Sequence, residues 1–144
     1  MTVRELLRRK GSKTVSVRGD CTVYQAVKNM ADNRVGSVIV VDDQNHPIGI
    51  FTERDVLNLV SECFDCIKDT TVAGVMTQEL IIVVPDDDIE SLLCIMTDKR
   101  VRHMPVMDEG ELVGMISIGD IVKESLEDSK FEIRYMRDYI MGKY

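Results

Sequence analysis

Two short patterns in the chain place an aspartate three positions after a hydroxyl side chain: Thr52 with Asp55, and Ser117 with Asp120. In both, a glycine and two apolar residues precede the hydroxyl residue. A carboxylate can accept hydrogen bonds from both hydroxyls of a ribose, and a threonine or serine hydroxyl can bond a ribose or phosphate oxygen. Each pair therefore indicates a nucleotide site. The same residues could equally do no more than cap a helix, and both interpretations stay open.

Positive charge near these patterns bears on how an anionic ligand would be held. Arg54 lies inside the first pattern, where a helix is predicted to begin and where free N–H groups favour a phosphate. Arg102 and His103 start the middle strand of the second half. The second pattern has Gly119 where the first has Arg54, and a glycine lets a phosphate approach the backbone closely. We therefore expect two related but unequal sites.

The two patterns belong to a longer internal duplication. Three blocks of the first half recur in the same order in the second half: the apolar positions of 23–34 in 89–100, residues 35–42 as 101–108, and residues 49–56 as 114–121. Such a repeat is the signature of one structural unit used twice.

Each half predicts the element order β-α-β-β-α. We expect strands at residues 14–17, 37–41 and 48–51, and again at 80–84, 103–107 and 112–116. The aspartates at 20 and 86–88 are interpreted as helix starts. The second helix of each half begins near Asp55 and Asp120. The fold class is therefore α/β (α+β), with two repeats packed about a pseudo-twofold axis.

Helices are predicted at both ends of the duplication. Thr2 and Glu5 have capping-box spacing and start an N-terminal helix. Residues 120–141 predict one long, protruding helix whose apolar face carries Val122, Leu126, Ile133, Met136 and Ile140, with Tyr135 and Tyr139 beside it. The expected division of the chain is 1–12, 13–69, 70–126 and 127–144.

The overall charge argues against some classes of partner. The chain has 144 residues, 18 of them basic and 25 acidic, for a net charge of −7, and it has no tryptophan. A nucleic-acid backbone repels such a protein. The apolar runs are too short to cross a bilayer, and the first residues lack the apolar core of a secretory signal. We expect a cytoplasmic protein with no nucleic-acid and no membrane partner.

Four cysteines in this setting predict reduced thiols. Cys63 and Cys66 form a C-x-x-C pattern, which could be a redox pair or half of a metal site. No second such pair accompanies it, so we expect ordinary thiols and no metal site. An enzyme that depends on this thiol pair or on a metal is kept as an alternative.

The region from residue 13 to 126 resembles a tandem pair of cystathionine-β-synthase (CBS) domains, also called a Bateman module. The resemblance is carried by residues 36–42, 49–55, 75–77, 102–106 and 114–120, taken in order. It implies a stand-alone regulatory protein that is not an enzyme, requires no cofactor and binds an adenosine-containing ligand such as AMP, ADP, ATP, S-adenosylmethionine or NADH. It also implies a homodimer, and an unidentified protein partner could read the ligand's effect.

The resemblance also implies roles for individual residues. Asp55 and Asp120 would hold the ribose, with Thr52 and Ser117 beside them. Residues that would border the adenine or line the same two clefts are Thr14, Val15, Val35, Gly36, Leu80, Ile81, Val101 and Arg102. Each cleft would draw on both repeats, so a ligand would report on their relative position. The main alternative is a structural or partner-interaction module that binds no nucleotide and acts through its C-terminal helix.

Overall fold

The computed structural model describes residues 1–142 of the chain. Its helices and strands run in the order α1 (Val3–Lys10), β1 (Ser16–Arg18), α2 (Val23–Asn33), β2 (Ser37–Val41), β3 (Pro47–Thr52), α3 (Glu53–Glu62), α4 (Ile89–Lys99), β4 (His103–Asp108), β5 (Glu111–Ser117) and α5 (Ile118–Ile140). Short 3₁₀ helices at Phe64–Lys68 and Val72–Gly74 connect the two repeats. The fold is mixed α+β, as predicted.

The first repeat contains a three-stranded sheet in the order β1-β2-β3. β1 pairs parallel to β2, and β2 pairs antiparallel to β3. All five residues of β2 are buried, as expected for a strand with an apolar residue at nearly every position. β1 begins two residues later than predicted, at Ser16, although Val15 still accepts a hydrogen bond from the Ile39 N–H at 3.1 Å.

The second repeat contains only the two-stranded sheet β4-β5, and the strand predicted at residues 80–84 was wrong. Its single parallel bridge joins Val83 to Val106. Proline explains part of the loss. Pro105 occupies the position equivalent to Ile39, and a proline has no N–H to donate to the neighbouring strand. The hydrogen bond that Ile39 makes to Val15 therefore has no counterpart at Ile81.

Both repeats reproduce the same unusual backbone features, which confirms the duplication. Arg34 and Arg100 are the C-cap residues of α2 and α4, and both have a left-handed backbone with φ of 55°. The two hairpins carry a register shift at equivalent places, after Val40 and after Val106. Duplicated sequence thus produced duplicated local geometry, including conformations that a non-glycine residue rarely adopts.

Side chains cap the first helix of each repeat. The cap of α4 is an aspartate, as predicted, whereas the cap of α2 is Thr22 and not the expected Asp20. Thr22 and Gln25 form a reciprocal capping box at the start of α2. Asp88 accepts from the Ser91 N–H at the start of α4, and Asp87 accepts from the Val84 N–H at 2.9 Å. The aspartates of 86–88 therefore shape a helix start.

The apolar core is divided into two clusters, one for each repeat, and α1 belongs to the second. The buried residues Val3, Leu6 and Leu7 of α1 pack with Met104 and Ile116 of the second sheet. α1 precedes the first repeat in the chain, so the peptide crosses from the second core back to the first at Gly11. The chain segments before and after the first repeat therefore both connect it to the second repeat.

Cys63 and Cys66 form a disulfide, so the prediction of four reduced thiols was wrong for this pair. Cys63 follows the last residue of α3 and Cys66 lies within the first 3₁₀ helix, so the tight backbone turn brings the two together. Cys21 and Cys94 are free, and burial raises the pKa of the Cys21 thiol. Within residues 1–142, no three His, Cys, Asp or Glu side chains form a group that could hold a metal ion.

The long C-terminal helix is present as predicted, and its apolar stripe is exposed. Leu126, Ile133, Met136 and Ile140 are each more than half exposed. The side chains of Tyr135 and Tyr139, and residues 143–144 of the predicted extension, lie outside the described residues. No helix in the described part of the chain has the length and apolar character needed to cross a membrane.

Gly49 lets the connection between the repeats lie directly against β3, and this contact can be tested. A Cβ at Gly49 would lie 2.5 Å from Met76 Sδ and 3.0 Å from the carbonyl oxygen of Thr77. We expect Gly49→Ala to lower the free energy of unfolding by about 1–3 kcal/mol in a urea titration, as overpacking does. Gly74→Ala is the matched control, because its Cβ would only reach Thr71 Oγ1 at 3.5 Å. Equal stability of the two variants would contradict this packing.

Candidate functional site

Thr52 and Asp55 form a capping box at the start of α3. The Thr52 N–H donates to Asp55 Oδ2 at 2.9 Å, and the Asp55 N–H donates back to Thr52 Oγ1 at 3.4 Å. These two hydrogen bonds confirm that the pair caps a helix. The capping geometry also holds the carboxylate at the end of β3, where strand and helix meet, which is where ligands of α/β proteins bind.

Thr77, in the connection between the repeats, reaches the same carboxylate. Its hydroxyl donates to Asp55 Oδ1 at 3.3 Å. Backbone pairing fixes its position, because Thr77 and Ile50 exchange two hydrogen bonds of 2.9 Å each. Asp55 thus joins the first repeat to the segment that leads into the second.

Ser117 and Asp120 reproduce the capping arrangement in the second repeat, with one addition. The Ser117 N–H donates to Asp120 Oδ2 at 2.9 Å, and the Asp120 N–H donates to Ser117 Oγ at 3.1 Å. Lys10, at the end of α1, also donates to Asp120 Oδ2, at 2.7 Å. Burial alone would raise the pKa of Asp120, but Lys10 and the Ser117 hydrogen bonds outweigh it and lower that pKa below its usual range.

A cleft of about 850 Å³ lies between the two repeats, next to the Thr52 end of β3. The first repeat, the connection and the second repeat all contribute to its wall. The lining residues are Gly36, Ile50, Thr52, Glu53, Arg54, Thr77, Glu79, Met96, Thr97, Arg100, Val101, Arg102, His103 and Ile118. This volume falls in the range of small-molecule sites.

The charged residues of the cleft are three arginines and two glutamates, although the chain as a whole is acidic. The arginines, which are Arg54, Arg100 and Arg102, come from both repeats. Guanidinium groups bind phosphate with several donors at once. Burial is the main cause of a lowered pKa at His103, and the charges of Arg102 and Lys10 act in the same direction, while Asp120 opposes them. The imidazole is therefore mainly neutral near pH 7.

Apolar side chains complete the wall. Ile50 comes from the first repeat, and Met96, Val101 and Ile118 come from the second. A pocket with apolar walls and a few placed charges suits a flat heterocycle that carries an anionic tail. This combination of apolar walls and charged groups suits a nucleotide better than an inorganic anion alone.

The structure brings together some of the predicted site residues and separates others. Those that line the cleft are Gly36, Thr52, Arg54, Val101, Arg102 and His103. Asp55 is joined to the cleft through Thr77. Ser117, Gly119 and Asp120 lie together at the second capping box, beside Lys10. The remaining predictions, Thr14, Val15, Val35, Leu80 and Ile81, are not part of the cleft wall.

Several lining residues were missed at the sequence level. Arg100 carried a signal, because it is the repeat equivalent of Arg34 and ends a helix next to the predicted Val101. Thr77 and Glu79 lie in the connection, where no periodic pattern marks a side chain as facing a cleft. Lys10 was not singled out either, because only the packing of α1 on the second core brings it to Asp120.

Comparison with known proteins agrees with this architecture. The sequence model of the CBS domain family matches the chain twice, at residues 3–62 and 72–127. The chain therefore belongs to the CBS domain family and contains a tandem pair of these domains. It is 35% identical to "CBS domain-containing protein CBSX3, mitochondrial" from Arabidopsis thaliana, over 99% of this chain and 73% of that protein.

Solved structures of CBS domain proteins share the fold. A putative signal-transduction protein with CBS domains from Burkholderia ambifaria is 37% identical, with a TM-score of 0.79, and the match covers 89% of this chain and 96% of that one. The CBS domain protein PAE2072 from Pyrobaculum aerophilum, solved in complex with AMP, is 28% identical with a TM-score of 0.72. That match covers 83% of this chain and 89% of the other.

The depressed pKa of His103 can be measured. In a His46→Gln variant, which leaves one imidazole, we expect an NMR titration midpoint for His103 below 6.5. Adding Lys10→Met should raise that midpoint, because a nearby positive charge is removed. The unfolded chain binds this proton more readily than the folded one, so His103 lowers the stability as the pH falls below about 6.5. A midpoint above 6.5 would show that the attraction of Asp120 outweighs burial at His103 and would contradict the expected direction of the shift.

Proposed function

We propose that this protein is a non-catalytic regulatory module that binds an adenosine-containing ligand in the cleft between its CBS repeats. One observation carries the proposal: the cleft combines apolar walls, the Thr52 end of β3 and three arginines from both repeats. Its candidate ligands are AMP, ADP, ATP, S-adenosylmethionine and NADH. The AMP complex of the Pyrobaculum aerophilum relative supports this class of ligand.

The arrangement of the cleft implies how binding would act. Arg54 belongs to the first repeat and Arg100 to the second, so a phosphate held by both would fix the distance between the repeats. A ligand shifts a conformational equilibrium by its differential affinity for the two states. Coupling of this kind typically amounts to about 1–3 kcal/mol. A protein partner, or the second copy in a dimer, would read the change in orientation.

The cytoplasmic location stays a prediction, and the Arabidopsis relative is named as mitochondrial.

Arginine and aspartate substitutions test the proposal. Hydrogen bonds to charged groups contribute about 1.5–3 kcal/mol, so Arg100→Ala should weaken AMP binding roughly 10- to 100-fold and leave adenosine binding unchanged. Asp55→Asn, which keeps a capping side chain, should weaken both ligands. Calorimetric titration would measure these affinities, with the exposed Arg134→Ala as control.

The wild-type protein would first be titrated with all five candidate ligands. Saturable binding of one of them, with the pattern of losses above, would support the regulatory assignment. Absence of binding by any of the five at millimolar concentration would overturn it. Equal loss of adenosine and AMP in Arg100→Ala would show that the arginine does not contact a phosphate.

A second candidate function, association through α5, rests on the exposed stripe. The stripe has the spacing of a coiled-coil seam, in which contact positions are separated alternately by four and three residues. These positions are Val122, Leu126, Ser129, Ile133, Met136 and Ile140, and all but Ser129 are apolar. In a parallel pair, Glu132 would face Arg137 of the second copy. In an antiparallel pair, the basic residues flanking the seam would face one another: Lys123, Lys130 and Arg137. We therefore propose a parallel homodimer.

Ile133→Asp tests this contact, because it places a charge in the centre of the proposed seam. We expect the dimer dissociation constant in analytical ultracentrifugation to rise at least tenfold. Arg134→Asp is the matched control, since the next residue lies outside the seam. The same dissociation constant for Ile133→Asp and the wild type, or a monomeric wild type at high concentration, would rule out α5 as the interface.

A further inference from the structure

Lys10 makes the two Asp-containing sites chemically different. In the second repeat, the Lys10 ammonium lies 2.7 Å from Asp120 Oδ2 and donates a second hydrogen bond, also of 2.7 Å, to the carbonyl oxygen of Met115. In the first repeat, Asp55 receives only hydroxyl and backbone donors. Among the described residues, no Lys, Arg or His nitrogen forms an ion pair with Asp55.

The side chains of this ion pair are partly sheltered from solvent. The Lys10 side chain is 29% exposed and that of Asp120 is 25% exposed, unlike the surface pair of Arg4 and Asp86, where the exposures are 45% and 88%. Partial burial strengthens the attraction, because water screens it less. The Lys10 ammonium thus engages the carboxylate with which a ribose diol would have to bond.

The contacts of α1 with the second repeat fix the position of Lys10. Its first residues are tied to the loop before α4, by Val3 N–H to Asp87 O and Arg4 N–H to Pro85 O, each at 2.9 Å. Leu7 packs against Gly114, where a Cβ would lie 2.7 Å from a Leu7 methyl carbon. The helix therefore cannot slide along the second sheet, and its last residue stays over the second capping box.

Beyond Leu7, the end of α1 is held by charged side chains and not by buried apolar ones. Lys10 and Arg9 hold it by ion pairs to α5, to Asp120 and Glu124. Gly11 follows with φ of +92°, and a Cβ there would meet nothing within 4 Å. The Lys10 side chain can therefore leave Asp120 without disturbing the buried residues Val3 and Leu6, at the cost of the ion pair.

We propose that Lys10 is a built-in competitor for the second site, so that a protomer takes its adenosine ligand at the Asp55 cleft first. This inference rests on the proposed function. A ribose that binds Asp120 must displace a charge-assisted hydrogen bond, which predicts a roughly 10- to 100-fold weaker second site. Lys10 therefore determines how many ligands the protomer holds at a given concentration.

Site-resolved NMR titration with AMP tests this directly. The backbone amides of Glu53 and Arg54 report on the first site, and those of Gly119 and Asp120 report on the second. In the wild type, we expect the second pair to respond at AMP concentrations at least tenfold higher than the first. In Lys10→Met, the second pair should respond at 10- to 100-fold lower AMP than in the wild type, with the first pair unchanged.

Two further variants separate competition from a loss of structure. Lys10→Gln should behave like Lys10→Met and guards against misfolding of either variant, which thermal melting would detect. Lys13→Met is the matched control, because Lys13 is exposed in the segment after Gly11 and makes no ion pair among the described residues. It should leave both responses as in the wild type.

The outcomes distinguish this inference from the proposed function. If the Glu53 and Arg54 amides respond but the Gly119 response does not tighten in either Lys10 variant, the inference is wrong and the proposed function stands. Weaker binding at the second site in Lys10→Met would make Lys10 a ligand contact and would also overturn it. If no amide at either site responds to AMP in any variant, the Lys10 inference fails, and the proposed function then depends on the other four ligands.

Discussion

The burial of α1 in the second core is the contact on which the other features depend. Val3, Leu6 and Leu7 bind an N-terminal segment to a sheet that is formed about a hundred residues later in the chain. This packing carries the peptide across the molecule before the first repeat begins. It holds the repeats together at one end and places Lys10 at Asp120. The same contact therefore serves the stability of the second core and the chemistry of its capping box.

Capping and the proposed ligand binding involve the same groups in this protein. The Thr52 and Asp55 side chains satisfy the free N–H groups at the start of α3, and this requirement fixes the carboxylate before any ligand arrives. A preorganised carboxylate loses little freedom on binding. The two interpretations of the duplicated pattern are therefore compatible, since a cap at the end of a strand is also a positioned polar group at the edge of a cleft.

The sequence predicted the features that depend on local patterns. Apolar periodicity located α2, α4 and both hairpins, and the aspartate cap of α4 fell where it was predicted, although Thr22 and not Asp20 caps α2. The prediction failed where contacts between residues far apart in the sequence determine the structure. The strand at 80–84 required an N–H that Pro105 lacks, and the roles of Thr77 and Lys10 depend on pairings with Ile50 and Asp120 across the fold. For the same reason, only part of the cleft wall was predicted.

The contrast between an acidic chain and a basic cleft has a consequence for the speed of encounter. At long range, a net charge of −7 repels an anionic nucleotide, whereas Arg54, Arg100 and Arg102 attract it only within a few ångströms. The Debye length is about 8 Å at physiological ionic strength, so salt screens the distant repulsion more than the contacts inside the cleft. Cellular salt therefore speeds the approach of an anion to this protein relative to pure water. For the proposed nucleotide, the three arginines would act only at the end of that approach.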